Sequence, residues 1–361
     1  MKNSNKIYLK KNSILYVLAP SKTSTGGPEG LHQLAYNCQK FFKVTTRMVY
    51  LPSSHNDPVH KNYKGFKLKF TNKIQDNSNN VLIIPEQYIY LQYSLQFKKI
   101  KKIIWWLSLD NYFGFKFRSE NSKYVRSIIK LPYNLINLFN KITNYYFGIL
   151  TFQDYLKTLF FLGNFSKYKE VNQAHLHIMQ SHYAYEYFKN RLPNVKLLYD
   201  YQREPIIKSL TKTVKKKKDI ICYSNKSNDF IKLIKSYTKL DFIPLVGLSP
   251  KEIIEVFKKT KIYLDFGYHP GKDRMPREAA LFDNCIITNK RGSAKNNIDI
   301  PINRKFKFNE RYSNLKEIEG TINHILKNYE KEILKFRYYK KKILKEEQVF
   351  NKQLFAIFKK V

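Results

Sequence analysis

Short apolar runs alternate with amphipathic helical segments along most of the chain, and this alternation limits the possible folds more than any other feature. In the first half, the predicted strands are Ser13–Pro20, Lys43–Leu51, Asn80–Pro85, Lys102–Leu107 and His175–Gln180. A second series has predicted strands at Asp219–Tyr223, Asp241–Val246, Lys261–Phe266 and Cys285–Thr288. Strands separated by helices are typical of parallel sheets whose two faces are covered by helices. The sequence therefore predicts an α/β fold.

The second series begins after a polar, strongly basic stretch at Lys208–Asp219, and the linker between the two halves is predicted within Asp200–Lys218. A length of 361 residues corresponds to about two domains. We expect an N-terminal domain at 1–205, with a basic helical insertion at about 116–169, and a second domain at 206–325. Residues 326–361 are predicted to form a basic C-terminal helix.

The chain carries 66 Lys and Arg residues against 28 Asp and Glu residues, a formal net charge of +38. This charge favours phosphate-rich partners such as nucleic acid, an anionic membrane surface or a nucleotide-linked substrate. The abundance of Lys, Asn, Ile, Phe and Tyr is also what an AT-rich genome produces without selection for such a partner. Both explanations stay open, so the charge alone assigns no function.

The cysteines are few and far apart, at Cys38, Cys222 and Cys285. This spacing argues against a disulfide framework or a structural zinc site and favours a reducing compartment. No apolar run approaches the roughly 20 residues that span a bilayer. We therefore expect a cytoplasmic protein.

The insertion at 116–169 contains an amphipathic pattern that allows two interpretations. One helical face would carry Leu135, Leu138, Phe139, Ile142, Tyr146 and Ile149. A basic amphipathic helix with aromatic side chains is typical of peripheral binding to an anionic membrane, here its inner face. A helical insertion packed on the sheet has the same pattern, and the sequence leaves both open.

The segment 265–280 is the part of the sequence richest in candidate binding residues. It follows an apolar strand and precedes a helix, and in open α/β sheets this edge binds ligands. Amides at a helix N-terminus receive anions. Lys272, Arg274 and Arg277 add cations that suit phosphate oxygens, and Gly271 shapes the loop. The segment is therefore predicted to be a binding site.

The run Pro276–Ala280, followed after a helical turn by Cys285–Thr288, resembles the donor-binding segment of GT-B glycosyltransferases. In that family the Glu before Ala holds the nucleotide ribose, and Glu278 occupies the matching position. Gly26 and Gly27, after the first strand, resemble the family's glycine loop, which approaches the donor phosphates. The resemblance implies two Rossmann-like domains facing a central cleft, with a C-terminal helix crossing back.

The sequence also departs from the family pattern. Many retaining members have a second glutamate, which would fall near Pro270 here, and Pro276 is one residue closer to Glu278 than usual. Whether the chain retains or inverts the anomeric configuration is therefore open. Bacterial sialyltransferases of the same fold use a His-Pro pair for the nucleotide phosphate and an acid followed by Gly as base. His269 and Glu29 resemble these residues and are candidate catalytic residues.

Two further candidates follow predicted strands. Asp110 lies after the strand with two tryptophans and is either an acid on the acceptor side or a helix cap. Lys226 follows the strand that ends at Tyr223, where GT-B donor phosphates often meet a basic residue.

The resemblance implies transfer of a sugar from a nucleotide-sugar donor to a polysaccharide or a lipid-linked glycan. No metal or other cofactor is expected, because helix N-termini and basic side chains neutralise the departing diphosphate. One alternative is a nucleic-acid-binding basic protein, although the sequence has no RRM, KH or zinc-finger signature and its lysines are spread along the whole chain. The other is a sugar-binding GT-B pseudoenzyme, which the missing glutamate leaves open.

Overall fold

The computed structural model describes residues 6–53, 56–113, 168–210, 216–224, 230–238 and 240–361, together with Leu138 and Ile142. Within these ranges the chain divides into two compact units. Apart from the gaps just given, the first unit contains 6–113, 168–201 and 346–361. The second contains 202–345 together with Leu138 and Ile142.

The first unit is built on a six-stranded parallel sheet. Its strands are β2 (Ile14–Pro20), β3 (Thr45–Leu51), β4 (Val81–Pro85), β5 (Lys101–Trp106), β6 (Leu176–Met179) and β7 (Val195–Leu197). β2 reads Ile-Leu-Tyr-Val-Leu-Ala-Pro, and its five inner residues are all buried. Continuous apolar sequence is required here because helices cover both faces of a parallel sheet.

The strand order of this sheet, β3-β2-β4-β5-β6-β7, contains a topological switch point between β2 and β4. The chain leaves β2 towards one edge of the sheet and later returns to build the other side from β4. At a switch point the neighbouring connections leave in opposite directions and open a crevice at the carboxyl ends of the strands. The loops that follow β2 and β4 are therefore the expected ligand-binding positions of this unit.

The helices of the first unit pack on both faces of the sheet. Helix α1 buries Leu31, Leu34, Ala35 and Cys38 in the core. The helices before the C-terminal segment are α1 (Gly26–Phe42), α2 (Tyr88–Ser94), α3 (Lys169–Asn172) and α4 (His182–Phe188).

The second unit contains a five-stranded parallel sheet with its own core. Its strands are β8 (Lys218–Ser224), β9 (Phe242–Leu245), β10 (Thr260–Asp265), β11 (Cys285–Asn289) and β12 (Lys307–Phe308). The order β12-β11-β10-β8-β9 places a switch point between β8 and β10. The loop after β10 is thus the counterpart of the loop after β4 in the first unit.

Short helices connect these strands, and longer ones follow them. The Ser249 hydroxyl and the Glu252 carboxylate form a capping box at the start of α7. The helices are α5 (Glu204–Lys208), α6 (Phe230–Thr238), α7 (Pro250–Lys259), α8 (Arg274–Leu281), α9 (Gly292–Lys295), α10 (Leu315–Lys327), α11 (Tyr329–Glu332) and α12 (Arg337–Leu344).

The C-terminal segment returns to the first unit, as the resemblance predicted. Helix α13 (Glu346–Ile357) places Phe350 and Leu354 in the core of the first unit. Strand β13 (Phe358–Lys360) then pairs in parallel with β1 (Ile7–Leu9). The region 326–361 is therefore not the single helix predicted, because its parts pack on two different cores.

The predicted basic insertion lies outside the described residues except at four positions, Leu138, Ile142, Tyr168 and Lys169. Leu138 and Ile142 are helical and their side chains are exposed, by 58% and 75%. Within the described ranges, no helix combines the length and the apolar character needed to cross a bilayer.

Candidate functional site

The loop 266–273 joins β10 to α8 at the switch point of the second sheet. Hydrogen bonds from residues outside the loop hold its backbone. Asn289, at the end of β11, donates from Nδ2 to the Gly267 carbonyl at 2.8 Å. The Ser293 amide donates to the His269 carbonyl at 3.0 Å. A loop fixed in this way presents its remaining backbone groups to a ligand without having to reorganise.

Arg277, in the first turn of α8, holds the same loop from the helix side. Its side chain is fully buried, and its Nε and Nη2 donate to the carbonyls of Asp273 and Lys272, both at 3.1 Å. A buried guanidinium requires such acceptors, because desolvation without them is costly. The predicted role of Arg277 in binding a nucleotide-sugar donor stays a prediction, since these contacts are to the loop itself.

His269 is fully buried between two carboxylates of the same segment. Its Nδ1 lies 3.0 Å from Asp273 Oδ2, and its Nε2 lies 3.6 Å from Asp265 Oδ1. Thr288 Oγ1 lies 3.4 Å from the same Nε2. Both ring nitrogens are thus engaged within the loop and the adjoining strands. In this geometry His269 fixes the loop, and the direct catalytic role predicted from the sequence stays a prediction.

The two carboxylates keep His269 charged at neutral pH. Burial alone would lower its pKa, but the charge of Asp265, together with the hydrogen bond and charge of Asp273, raises it to about 9. The charge of the buried imidazolium is balanced by the two carboxylates beside it.

Between pH 7 and pH 10, the free energy of unfolding should fall further in the wild-type protein than in a His269→Gln variant, because only the wild type loses the contribution of His269. The pKa of His269 is 6.5 in the unfolded chain and about 9 in the folded chain. Its stabilising contribution is therefore complete below pH 6.5 and is lost as the pH rises through about 9. A shift of this size corresponds to about 3 kcal/mol. Urea denaturation of both proteins at the two pH values measures the difference, and equal pH dependence would contradict it.

The remaining residues predicted to bind a nucleotide sugar lie around the N-terminus of α8. Gly271 and Lys272 are buried in the last part of the loop, and Arg274 is half-buried at the first position of the helix. Glu278 lies one turn further on and is also buried. Two cations beside a helix N-terminus are an arrangement suited to phosphate groups.

In the first unit, the N-terminus of α1 begins at Gly26, directly after the loop that follows β2. Gly27 and Gly30 let the helix approach the sheet closely. A Cβ atom at Gly27 would lie 3.4 Å from Leu107 Cδ1, and one at Gly30 would lie 3.3 Å from Trp105 Cη2. The glycines thus place the amides of the first helical turn against the carboxyl ends of the strands.

Glu86 is the residue that sequence reasoning missed. It follows β4 directly, at the switch point, and is only 2% exposed. Its Oε2 accepts a hydrogen bond from the Leu107 amide at 3.1 Å, and the side chain of the same leucine packs beside Gly27. Burial raises the pKa of Glu86 to about 8, against the lowering effect of hydrogen bonds from its own amide and from those of Leu107 and Ser108. The sequence signal that could have identified Glu86 is an acidic residue directly after an apolar strand.

The two acids that were predicted in this unit lie at the same edge of the sheet. Glu29 is buried in the first turn of α1. Asp110 is half-buried in a helical turn after β5 and accepts a hydrogen bond from the Tyr183 hydroxyl at 2.9 Å. Asp110 lies inside that turn and does not cap it, because the amides of Asn111 and Tyr112 bond to the Ser108 carbonyl.

The last predicted site residue, Lys226, lies outside the described residues. Among those that are described, no group of three or more His, Cys, Asp or Glu side chains is arranged to hold a metal ion.

No protein-family model matches the sequence, and no curated protein matches it. Solved structures do match the fold. HepE from Anabaena, in complex with UDP-glucose, has a TM-score of 0.53 and 10% identity, over 95% of this chain and 98% of that one. Sucrose-phosphate synthase from Thermosynechococcus elongatus has a TM-score of 0.51 and 10% identity, over 96% of this chain and 99% of that one. The predicted GT-B fold is therefore confirmed.

Proposed function

We propose that this chain, which has the GT-B fold, is a glycosyltransferase that uses a nucleotide-sugar donor. One observation carries the proposal: a glycine-containing loop, held by buried Arg277 and His269, leads at a switch point into a helix N-terminus flanked by Lys272 and Arg274. Such a site accommodates a diphosphate. HepE, which has the same fold, is solved with UDP-glucose.

The donor would bind the second unit. Its diphosphate would lie at the N-terminus of α8, where Lys272 and Arg274 neutralise the charge that grows as the nucleoside diphosphate leaves. Glu278, one turn along the helix, would accept hydrogen bonds from the ribose hydroxyls, as the resemblance implies.

The first unit would supply the group that activates the acceptor. In a displacement with inversion, the acceptor hydroxyl loses its proton to a carboxylate. Its oxygen bonds to the anomeric carbon, and the bond from that carbon to the diphosphate breaks. We assign the proton acceptor to Glu86, because it lies at the switch point beside the N-terminus of α1 and its pKa of about 8 suits a base near neutral pH. Glu29 and Asp110 are the competing carboxylates at the same edge.

Calorimetric titration with UDP-, GDP-, dTDP- and CMP-sugars tests the proposal. We expect one nucleotide class to bind and, with an added glycan acceptor, to release its nucleoside diphosphate or monophosphate. Failure of every nucleotide sugar to bind would contradict the proposal. Binding with no release in the presence of acceptors would indicate the pseudoenzyme.

For the acceptor, we propose a polysaccharide or a lipid-linked glycan at the inner face of an anionic membrane. The support is the net charge of +38 and the exposed pair Leu138 and Ile142, one helical turn apart. The protein should sediment with phosphatidylglycerol vesicles but not with phosphatidylcholine vesicles. Replacing both residues by Ser should weaken that binding, and unaltered sedimentation of the variant would remove this helix from the membrane contact.

A further inference from the structure

A concave pocket of about 590 Å³ lies on the first unit, at the amino-terminal edge of its sheet. The end of α1, the start of β3 and the segment 67–69 form its walls. Five cationic side chains line it, and none of its lining residues is acidic: the cations are Lys40, Lys43, Arg47, Lys67 and Lys69. Since β3 has seven residues, the pocket lies roughly 20 Å from the carboxyl edge where Glu86 lies. It is therefore separate from the site described above.

These five cations differ from other cations of the same unit. Lys22 and Lys64 both lie near Asp57, with Nζ–Oδ2 distances of 3.8 and 2.9 Å. None of the five pocket cations forms an ion pair with a carboxylate in the part of the chain that the structure describes. Their mutual repulsion is thus not relieved by acidic neighbours there.

Two of these lysines also occupy backbone positions that ordinarily favour glycine. Lys43 ends α1 with φ of 51°, and Lys67 ends the 3-10 helix Lys61–Phe66 with φ of 52°. Helix ends in this left-handed conformation favour glycine, because a Cβ atom is strained there. The chain instead carries a cation at both positions, and both side chains line the pocket.

We propose that this pocket binds a ligand with at least two phosphate groups, either a soluble phosphorylated compound or a lipid headgroup. Lysine and arginine side chains bind phosphate oxygens through charge-assisted hydrogen bonds, and Tyr36 and Thr45 add hydroxyl groups to the lining. A single phosphate would leave most of the five positive charges without a counter-charge. The site does not depend on the proposed transfer reaction.

The test uses a Lys43→Gly/Lys67→Gly double variant and inorganic tripolyphosphate as the probe. Glycine suits both backbone positions, so this variant removes two charges while its melting temperature stays equal or rises. In a Lys272→Ala/Arg274→Ala background, which removes the cations at the N-terminus of α8, calorimetry should show affinity for tripolyphosphate reduced about tenfold or more by the two glycine replacements. Without the alanine replacements, the double variant should bind a nucleotide sugar as the wild type does, which separates this site from the one around α8.

Lys22→Gly is the matched control. Lys22 belongs to the same unit and also has a positive φ, of 54°, but it does not line the pocket. Its replacement should leave the affinity for tripolyphosphate unchanged. Equal loss in the control and the double variant, or no loss in either, would overturn the proposal.

Vesicles of cardiolipin in phosphatidylcholine distinguish the two sources of phosphate, because the cardiolipin headgroup carries two phosphate groups. If the double variant loses both tripolyphosphate and vesicle binding, the ligand is a lipid headgroup. If it loses only tripolyphosphate binding, the ligand is a soluble phosphorylated compound. Both results support the site.

Discussion

A Glu86→Gln variant should transfer sugar at least about 100-fold more slowly than the wild-type protein while binding the nucleotide sugar equally well. Glutamine keeps the size of the side chain and an oxygen that can accept the Leu107 amide. It cannot take a proton from an acceptor hydroxyl. The loss should therefore appear in kcat and not in the dissociation constant of the donor.

The pH dependence provides a second measurement on the same variant. With a pKa of about 8, the Glu86 carboxylate forms as the pH rises through that value, so wild-type kcat should rise over the same range. This rise should be absent from the residual activity of Glu86→Gln. A residue that only holds the Leu107 backbone would leave the profile unchanged.

Glu29→Gln and Asp110→Asn are the matched variants, because each removes a carboxylate from the same edge of the first sheet. We expect both to retain more activity than Glu86→Gln. A larger loss in either variant would make that residue the base and the assignment to Glu86 wrong. Circular dichroism of all three variants verifies that the fold is intact.

The strands could be predicted from the sequence because parallel strands bury both faces. Runs such as Ile14–Pro20 and Val81–Pro85 are apolar throughout. Every predicted strand matches an observed one to within two residues at each end. Four short strands were not predicted: Val195–Leu197, Lys307–Phe308, Ile7–Leu9 and Phe358–Lys360. Ile7–Leu9 and Phe358–Lys360 pair with each other although they lie at opposite ends of the described chain. A local sequence pattern does not reveal such a pairing.

The candidate site was predictable in part, because much of it is contiguous in the sequence. The residues of the loop 266–273 and the start of α8 are contiguous, so their glycines, cations and Glu278 could be recognised together. The confinement of His269 by Asp265 and Asp273 depends on how the loop folds back, which composition does not determine. Glu86 was missed because its burial depends on the folded structure, in which it lies beside residues as distant in the sequence as Leu107, 21 positions away. Tertiary contact, and not the local sequence, gives that carboxyl its raised pKa.

Replacing Lys272 and Arg274 together by Ala should weaken binding of the nucleotide sugar by about 100-fold or more. Each charge-assisted hydrogen bond to a phosphate is worth roughly 1.5–3 kcal/mol, which is about tenfold to a hundredfold in affinity. Each single variant should show its own part of this loss in calorimetric titration. Inorganic pyrophosphate should lose affinity in parallel, since it presents the same phosphate groups.

Two further variants show whether this loss is specific to the site. Lys251→Ala removes an exposed lysine from the first turn of α7 in the same unit. It changes the net charge as much as Lys272→Ala does but should leave the affinity for the nucleotide sugar unaltered. Glu278→Gln should weaken binding of the nucleotide sugar but not of pyrophosphate, because only the nucleotide has ribose hydroxyls for the carboxylate to bind. If Lys251→Ala weakens binding as much as Lys272→Ala does, the effect is one of overall charge. If the double variant and Glu278→Gln both bind like the wild type, the donor does not bind at the N-terminus of α8.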